Sequence, residues 1–349
     1  MKRKDLMICK KTLSALLCAA SVIILCSCTD RNTENETDLF AMDTYMTLKA
    51  YGENSKSALE KASAKIRELE ELLSVTDENS EIFGLNSADG KRTEISDDTS
   101  FLIKRSLEIN KSTNAAFDIT LYPVSREWGF TTGDYKVPAQ TRLDELLKSV
   151  GSENIILDTN DNSVSLLNGA NIDLGGIAKG YAGKCAAEIL KNEGIKSAIL
   201  NMGGNVQTIG AKPDGSSWIV GIQDPTDNHE LVGTVEVIDK AVVTSGGYER
   251  YFEDEAGNTY WHILDPKTGR PAKTDILSVT VIGIDGTTCD ALSTSLFVMG
   301  IDSACGYLRS NREYDAVMVS DDKTLYITQG ITESFSVSDK FSGYKIVTV

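Results

Sequence analysis

DLGGIAKGYAGKCAAEILKNEGIKSAILNMGGN, residues 173–205, packs a helix, a strand and two Gly-Gly turns into one run. Tyr181, Cys185 and Ile189 recur at helical spacing, which predicts a helix over 178–192 with Gly194 as its stop signal. The apolar stretch 197–201 then reads as a strand that ends in Met202-Gly203-Gly204. Downstream, the β-branched runs 218–223, 232–238, 241–244 and 277–284 predict further strands. A helix over 288–299 halts at Gly300, and a hairpin runs through 316–320 and 324–328. Upstream, short strands at 154–158 and 164–167 precede an Asn168-Gly169 turn. Helices are expected over 97–111, over 141–150 before Gly151, and where Leu59, Ala62, Ile66, Leu69 and Leu73 recur, with Ser57 and Glu60 placed as a capping box. A strand over 40–51 opens the body. Helices and strands mix without a βαβ rhythm, so the predicted class is α+β.

At 349 residues, with 41% hydrophobic and 25% charged residues, the chain can bury a large core without staples. No Pro-, Ser- or Gly-rich linker divides it, which predicts one domain over 39–349. The N-terminus reads differently. A basic MKRKDLMICKK is followed by an apolar run from Leu13 to Cys26, shorter than the ~20 residues of a membrane span. Leu25-Cys26-Ser27-Cys28 resembles a bacterial lipobox, giving a signal peptide over 1–27, a lipidated Cys28 and a solvated tether through residue 38. The expected location is therefore the outer side of the cell membrane, held by lipid. Four of the seven cysteines fall in that leader, and Cys185, Cys289 and Cys305 show no metal or disulfide spacing. The leader contributes +4 to the overall charge of −16, so the remaining chain carries −20. Such a surface repels nucleic acid, and a phosphate ligand there needs a metal, backbone N–H groups or a local lysine.

Three Gly-Gly pairs, at 175–176, 203–204 and 246–247, each follow a β-like run, which suggests loops gathered around one extended ligand. The first opens a helix whose N-terminus suits phosphate, with Lys179 as a point charge. Any of the three could equally be a plain tight turn. Asp290 and Thr294 lie four apart on the late helix and offer the hard oxygens that Mg²⁺ prefers, although an Asp in a first turn also serves as a cap. His262, in HILDPKTGRP, is one of only two histidines and is a candidate base, phosphate contact or packed side chain.

Beyond these local patterns, nearly the whole body resembles the ApbE family, the FAD:protein FMN transferases. The landmarks run in order: MDT at Met42, SEIFGLN at Ser80, AAFDIT at Ala115, DLGGIAKGYA at Asp173, NMGGNVQTIG at Asn201, WIVGIQDP at Trp218, VVTSGGYERYF at Val242, HILDPKTGRP at His262 and DALSTSLFVMG at Asp290. The resemblance implies a duplicated T-fold type core with FAD in a cleft between its halves. It implies Mg²⁺ held by Asp290, Thr294 and the Gly176 carbonyl, and FAD contacts at Met42, Ala116, Phe117, Asp118, Asp173, Lys179 and Leu264. His262 matches a histidine near the diphosphate, and Asp265 is a second candidate base. The implied reaction moves FMN from FAD to a Thr or Ser hydroxyl of an exported or membrane electron-transport flavoprotein, releasing AMP. Hydrolysis of FAD by water and simple flavin binding are the alternatives. Two departures stand out: Asp43 where many members have Gly, and Thr76 where an aromatic residue stacks on the ligand.

Overall fold

The computed structural model describes residues 33–349. The expected signal peptide and Cys28 lie outside the described residues. A nine-stranded sheet runs through the molecule in the order Glu34–Ala41, Thr44–Tyr51, Ser197–Asn201, Asn205–Ile209, Ala241–Gly246, Ile276–Gly283, Asp315–Ser320, Thr324–Ile327, Lys345–Thr348. Neighbours are antiparallel except the last pair, which is parallel.

Two copies of one pattern build this sheet. In the first, a hairpin over 34–51 leads to the helices Ser55–Leu73 and Gly175–Asn192 and returns as a hairpin over 197–209. In the second, Ala241–Gly246 and Ile276–Gly283 pair, and the helical run Gly286–Ser310 leads to the hairpin over 315–327. That run breaks at Gly300, whose φ of 74° and ψ of 167° leave the helix, so it too amounts to two helices. The halves join where Asn205, Val206 and Gln207 pair with Val243, Val242 and Ala241. The α+β class and the duplicated core are as expected from sequence.

The helices cover one face. Ala58, Leu59, Ala62, Ile66, Leu69 and Leu73 form the buried stripe of the first, and each large one contributes about 1.5–3 kcal/mol of burial. The helix Gly175–Asn192 is packed on two sides and buries mostly small residues, among them Gly180, Ala182, Gly183, Ala186 and Ala187. At Gly180 the demand is absolute: a Cβ there would collide with the Gly286 carbonyl of the second half's helix. On the opposite face, Trp218–Asp224, Asp227–Val237 and Phe335–Val337 form a second sheet that packs Val220, Ile222 and Val235 against Val242, Ile282 and Val317. Residues 74–174 and 247–275, inserted into the two halves, supply the walls of the site described below.

Four local expectations are corrected. The strand predicted over 40–51 is a hairpin that turns at Met42-Asp43. Its first strand begins at Glu34, inside the stretch 28–38 read as tether, because Glu34, Glu36 and Asp38 alternate outward and give that strand the composition of a solvated segment. Ser57 and Glu60 make no capping box: Asn54 is the N-cap, and Ser57 Oγ donates to its carbonyl. Helical structure also resumes after Gly300, where Asp275 Oδ1 accepts the Ile301 N–H at 2.9 Å. Cys185, Cys289 and Cys305 are free thiols.

Candidate active site

A cavity of about 580 Å³ opens between the two halves. It is lined by Met42, Ala116, Phe117, Asp118, Asp173, Gly176, Lys179, His262, Leu264, Asp290 and Thr294, all singled out from sequence. Two of the three Gly-Gly pairs line it as well. The third does not: Gly246 packs on the Tyr248 ring and Gly247 on the Trp261 ring, and Thr244 and Ser245 reach the cavity from that strand instead. Asp265 also stands apart from the lining. Its carboxylate accepts the Lys267 N–H at 2.8 Å and its carbonyl accepts the Thr268 and Gly269 N–H groups, so it shapes the turn that follows His262.

The floor of the cavity is the junction of the helices that begin at Gly175 and Gly286. Asp290 is 6% exposed, and burial pushes its carboxyl above the usual range, with Lys179 and the Gly180 N–H opposing that rise. Gly180 N donates to Asp290 Oδ2 at 2.7 Å. In a regular helix that N–H is the partner of the Gly176 carbonyl, so Asp290 competes for that donor, and Gly176 itself lies in the cavity lining. Thr294 lies one turn beyond Asp290, and its Oγ1 is 3.3 Å from Ser245 Oγ. Among the described residues no three His, Cys, Asp or Glu cluster together. A cation at this floor would therefore have one carboxylate with hydroxyl and carbonyl oxygens, a donor set that suits Mg²⁺ and leaves room for ligand oxygens and water.

The first wall is built by local backbone chemistry. Asp173 Oδ1 accepts the Gly175 N–H at 2.8 Å and so satisfies the first N–H of the helix that carries Gly176 and Lys179, whose N-cap is Leu174. Burial raises the Asp173 pKa; the Gly175 N–H, Arg250 and Lys179 act in the other direction. Asn86, from SEIFGLN, holds the preceding loop by accepting the Ile172 N–H and donating to its carbonyl. Asp118 caps a short 3₁₀ turn through Thr120, and Asn110 ties both Asp118 and the Phe117 carbonyl in place. Met42 and Asp43 take φ of 51° and 57°, the left-handed region that a two-residue hairpin turn requires. Glycine adopts that conformation freely and Asp is among the residues that tolerate it, which accounts for Asp43 at a position where glycine is common in the resemblance. The Met42 N–H donates to Glu70 Oε1 at 2.6 Å and fixes the turn against the cavity. Thr76 lines the same side, its N–H held by Ser74 Oγ.

The second wall carries His262. Its Nδ1 lies 3.1 Å from the Arg250 carbonyl, an acceptor only, so Nδ1 bears the proton and Nε2 keeps its lone pair. Enclosure by protein pushes the imidazole down to about 4; the bond to Arg250 O opposes this, while the charges of Arg250 and Lys179 add to it. At neutral pH His262 is an uncharged base. Glu249, also in the lining, opens to solvent on one side and is enclosed on the others, which pushes its carboxyl up to about 7, with Lys179 pulling it down, Asp290 pushing it up and Arg250 pulling it down. Glu70, Glu249 and Arg250 were not singled out from sequence, and Asn205 entered only as the end of the second Gly-Gly stretch. VVTSGGYERYF marked the neighbourhood of two of them, but no spacing rule points Glu249 or Arg250 inward.

Residues 42–318 match the sequence model of the ApbE family. The chain belongs to that family. Curated relatives named FAD:protein FMN transferase include one from Klebsiella pneumoniae, 32% identical over 285 residues and spanning 81% of this chain and 87% of the relative. Another, from Treponema pallidum, is 31% identical over 299 residues, 81% of this chain and 82% of the relative. Among solved structures, an ApbE protein from Thermotoga maritima superposes with a TM-score of 0.77 at 32% identity, covering 90% of this chain and 99% of that one. The flavin transferase ApbE from Vibrio cholerae gives 0.75 at 25% identity, over 89% and 99%. This ApbE chain thus shares its overall architecture with those two structures over about nine-tenths of its length.

Proposed function

We propose that this ApbE-family chain transfers the FMN moiety of FAD to a Thr or Ser hydroxyl of a partner flavoprotein and releases AMP, with Mg²⁺ at the cavity floor. The observation that carries the reading is the convergence of Asp290, Thr294 and Gly176 beside Lys179, with an uncharged His262 on the facing wall of one cavity. Asp290, Thr294 and the Gly176 carbonyl would hold the metal, which when bound supplies charge stabilisation to the diphosphate and the departing AMP. Lys179 adds a point charge to the diphosphate, and the helix N-terminus at Gly175 adds aligned N–H groups. Phe117, Met42 and Leu264 bound the apolar part of the ligand. His262 Nε2 accepts the proton of the acceptor hydroxyl as its oxygen attacks phosphorus in line; the Nδ1–H bond to Arg250 O holds the ring in that tautomer.

The test is incubation with FAD, Mg²⁺ and a candidate acceptor, followed by in-gel flavin fluorescence. Transfer gives a fluorescent acceptor band, hydrolysis gives free FMN and AMP, and binding alone gives neither. Asp290→Ala is expected to abolish turnover; full activity in that variant refutes the metal site. The lipobox motif at 25–28 also supports attachment of Cys28 to lipid on the outer face of the cell membrane, near a membrane-associated acceptor. A Cys28→Ser chain that still fractionates with membranes would refute that attachment.

A further inference from the structure

Asn205 begins a strand at the seam between the two halves, pairs with Val243, lines the cavity and is 1% exposed. Its Nδ2 is buried and has no hydrogen-bond partner. An amide left in this state carries its full desolvation penalty, which an acceptor in the cavity would relieve. The surroundings specify that acceptor. On one side stands Gly183, where a Cβ would lie 4.0 Å from Asn205 Oδ1; Gly183 is one helical turn beyond Lys179 and on the same face. On the other side the paired strand leads to Ser245, which is bonded to Ser293 and lies beside Thr294. The amide thus borders the helix of Lys179 at Gly183 and, across the strand pair, the strand that carries Ser245.

The lining is already rich in carboxylates, with Asp173, Glu249 and Asp290 all facing this space. A neutral donor suits an anion there without altering the charge balance, and the NH₂ group can bond two oxygens of one phosphate. We propose that Asn205 is a further substrate-binding residue, its Nδ2 group donating to diphosphate oxygens of FAD. This rests on the reading of FAD as substrate and adds a contact outside the metal ligands and Lys179.

The experiment is a fluorescence titration of the full chain in detergent with FAD and, separately, with riboflavin, which lacks the diphosphate. Wild type, Asn205→Ala and the near-isosteric Asn205→Asp are compared with and without Mg²⁺, and melting curves verify that each is folded. Loss of a hydrogen bond to a charged oxygen predicts FAD affinity at least about tenfold weaker in Asn205→Ala, and weaker still in Asn205→Asp, with riboflavin affinity unchanged. FAD affinity unchanged in the folded Asn205→Asp chain overturns the assignment, and so does an equal loss for FAD and riboflavin. If wild type itself fails to bind FAD, the functional reading falls with it; wild-type binding that ignores both substitutions removes Asn205 alone.

Discussion

On one face of the nine-stranded sheet Trp218, Val220, Ile222 and Val235 close against Val242, Ile282 and Val317 in a buried apolar seam. On the other, the same strands look toward helices that carry Asp290, Lys179 and a cavity, with Asn205 short of a partner and four carboxyl groups lifted by burial. Alternation along a strand separates the two. Val242 points to the seam while Val243 and Ser245 point to the helices, so a single strand serves packing on one side and ligand on the other. Stability should therefore be concentrated on the first face and function on the second, because desolvated charge without a partner works against folding.

The largest expected effect lies on the cavity face. His262→Asn should lower the rate of FMN transfer by about 10²- to 10⁴-fold while leaving the melting temperature nearly unchanged, whereas Asp265→Asn, in its turn outside the cavity, should remain within a few-fold of wild type. Rates and melting curves measured side by side check this; equal losses in the two variants would restore Asp265 as a base. The seam gives the reverse pattern. Ile222→Ala should cost about 2–5 kcal/mol in denaturant unfolding without changing FAD affinity in the folded protein. A parallel fall in affinity would erase the division between the faces.

The smallest effect sharpens the comparison through pH. Glu249 binds its proton more tightly in the fold than the ordinary carboxyl value of 4.5, up to about 7. The folded state therefore holds more proton than the unfolded one between those values, and the Glu249 contribution to stability falls as pH rises through that window. Glu249→Gln should melt with wild type near pH 4.5 and above it near pH 8, by a few degrees. Identical melting curves at pH 8 would show that the carboxylate is not desolvated.

Much of this was legible from residue patterns, for physical reasons that also mark the boundary. The helix Gly175–Asn192 and the strand Ser197–Asn201 announced themselves through periodicity and glycine stops, which are local signals. Asp290 and Thr294 could be placed on one side of the late helix because helical spacing fixes a shared face, and both line the cavity. The strand Glu34–Ala41 was hidden because its outward residues are acidic, and only a partner strand reveals the alternation. The resumption of helix at Ile301 depends on Asp275, twenty-six residues away in sequence. Glu249 and Arg250 enter the site because the hairpin Tyr251–Glu253 with Thr259–Trp261 folds His262 back onto the Arg250 carbonyl, a contact that no spacing rule encodes.

The early start of that first strand also sets a distance. If Cys28 carries lipid, as proposed above, the five residues 29–33 lie between it and Glu34, a contour length of at most roughly 20 Å. The eight residues of the strand then climb about 27 Å to the turn at Met42 on the cavity rim. Under that proposal the leash and the strand together would keep the cavity rim within roughly 50 Å of the bilayer, and the acceptor hydroxyl would have to be presented inside that distance.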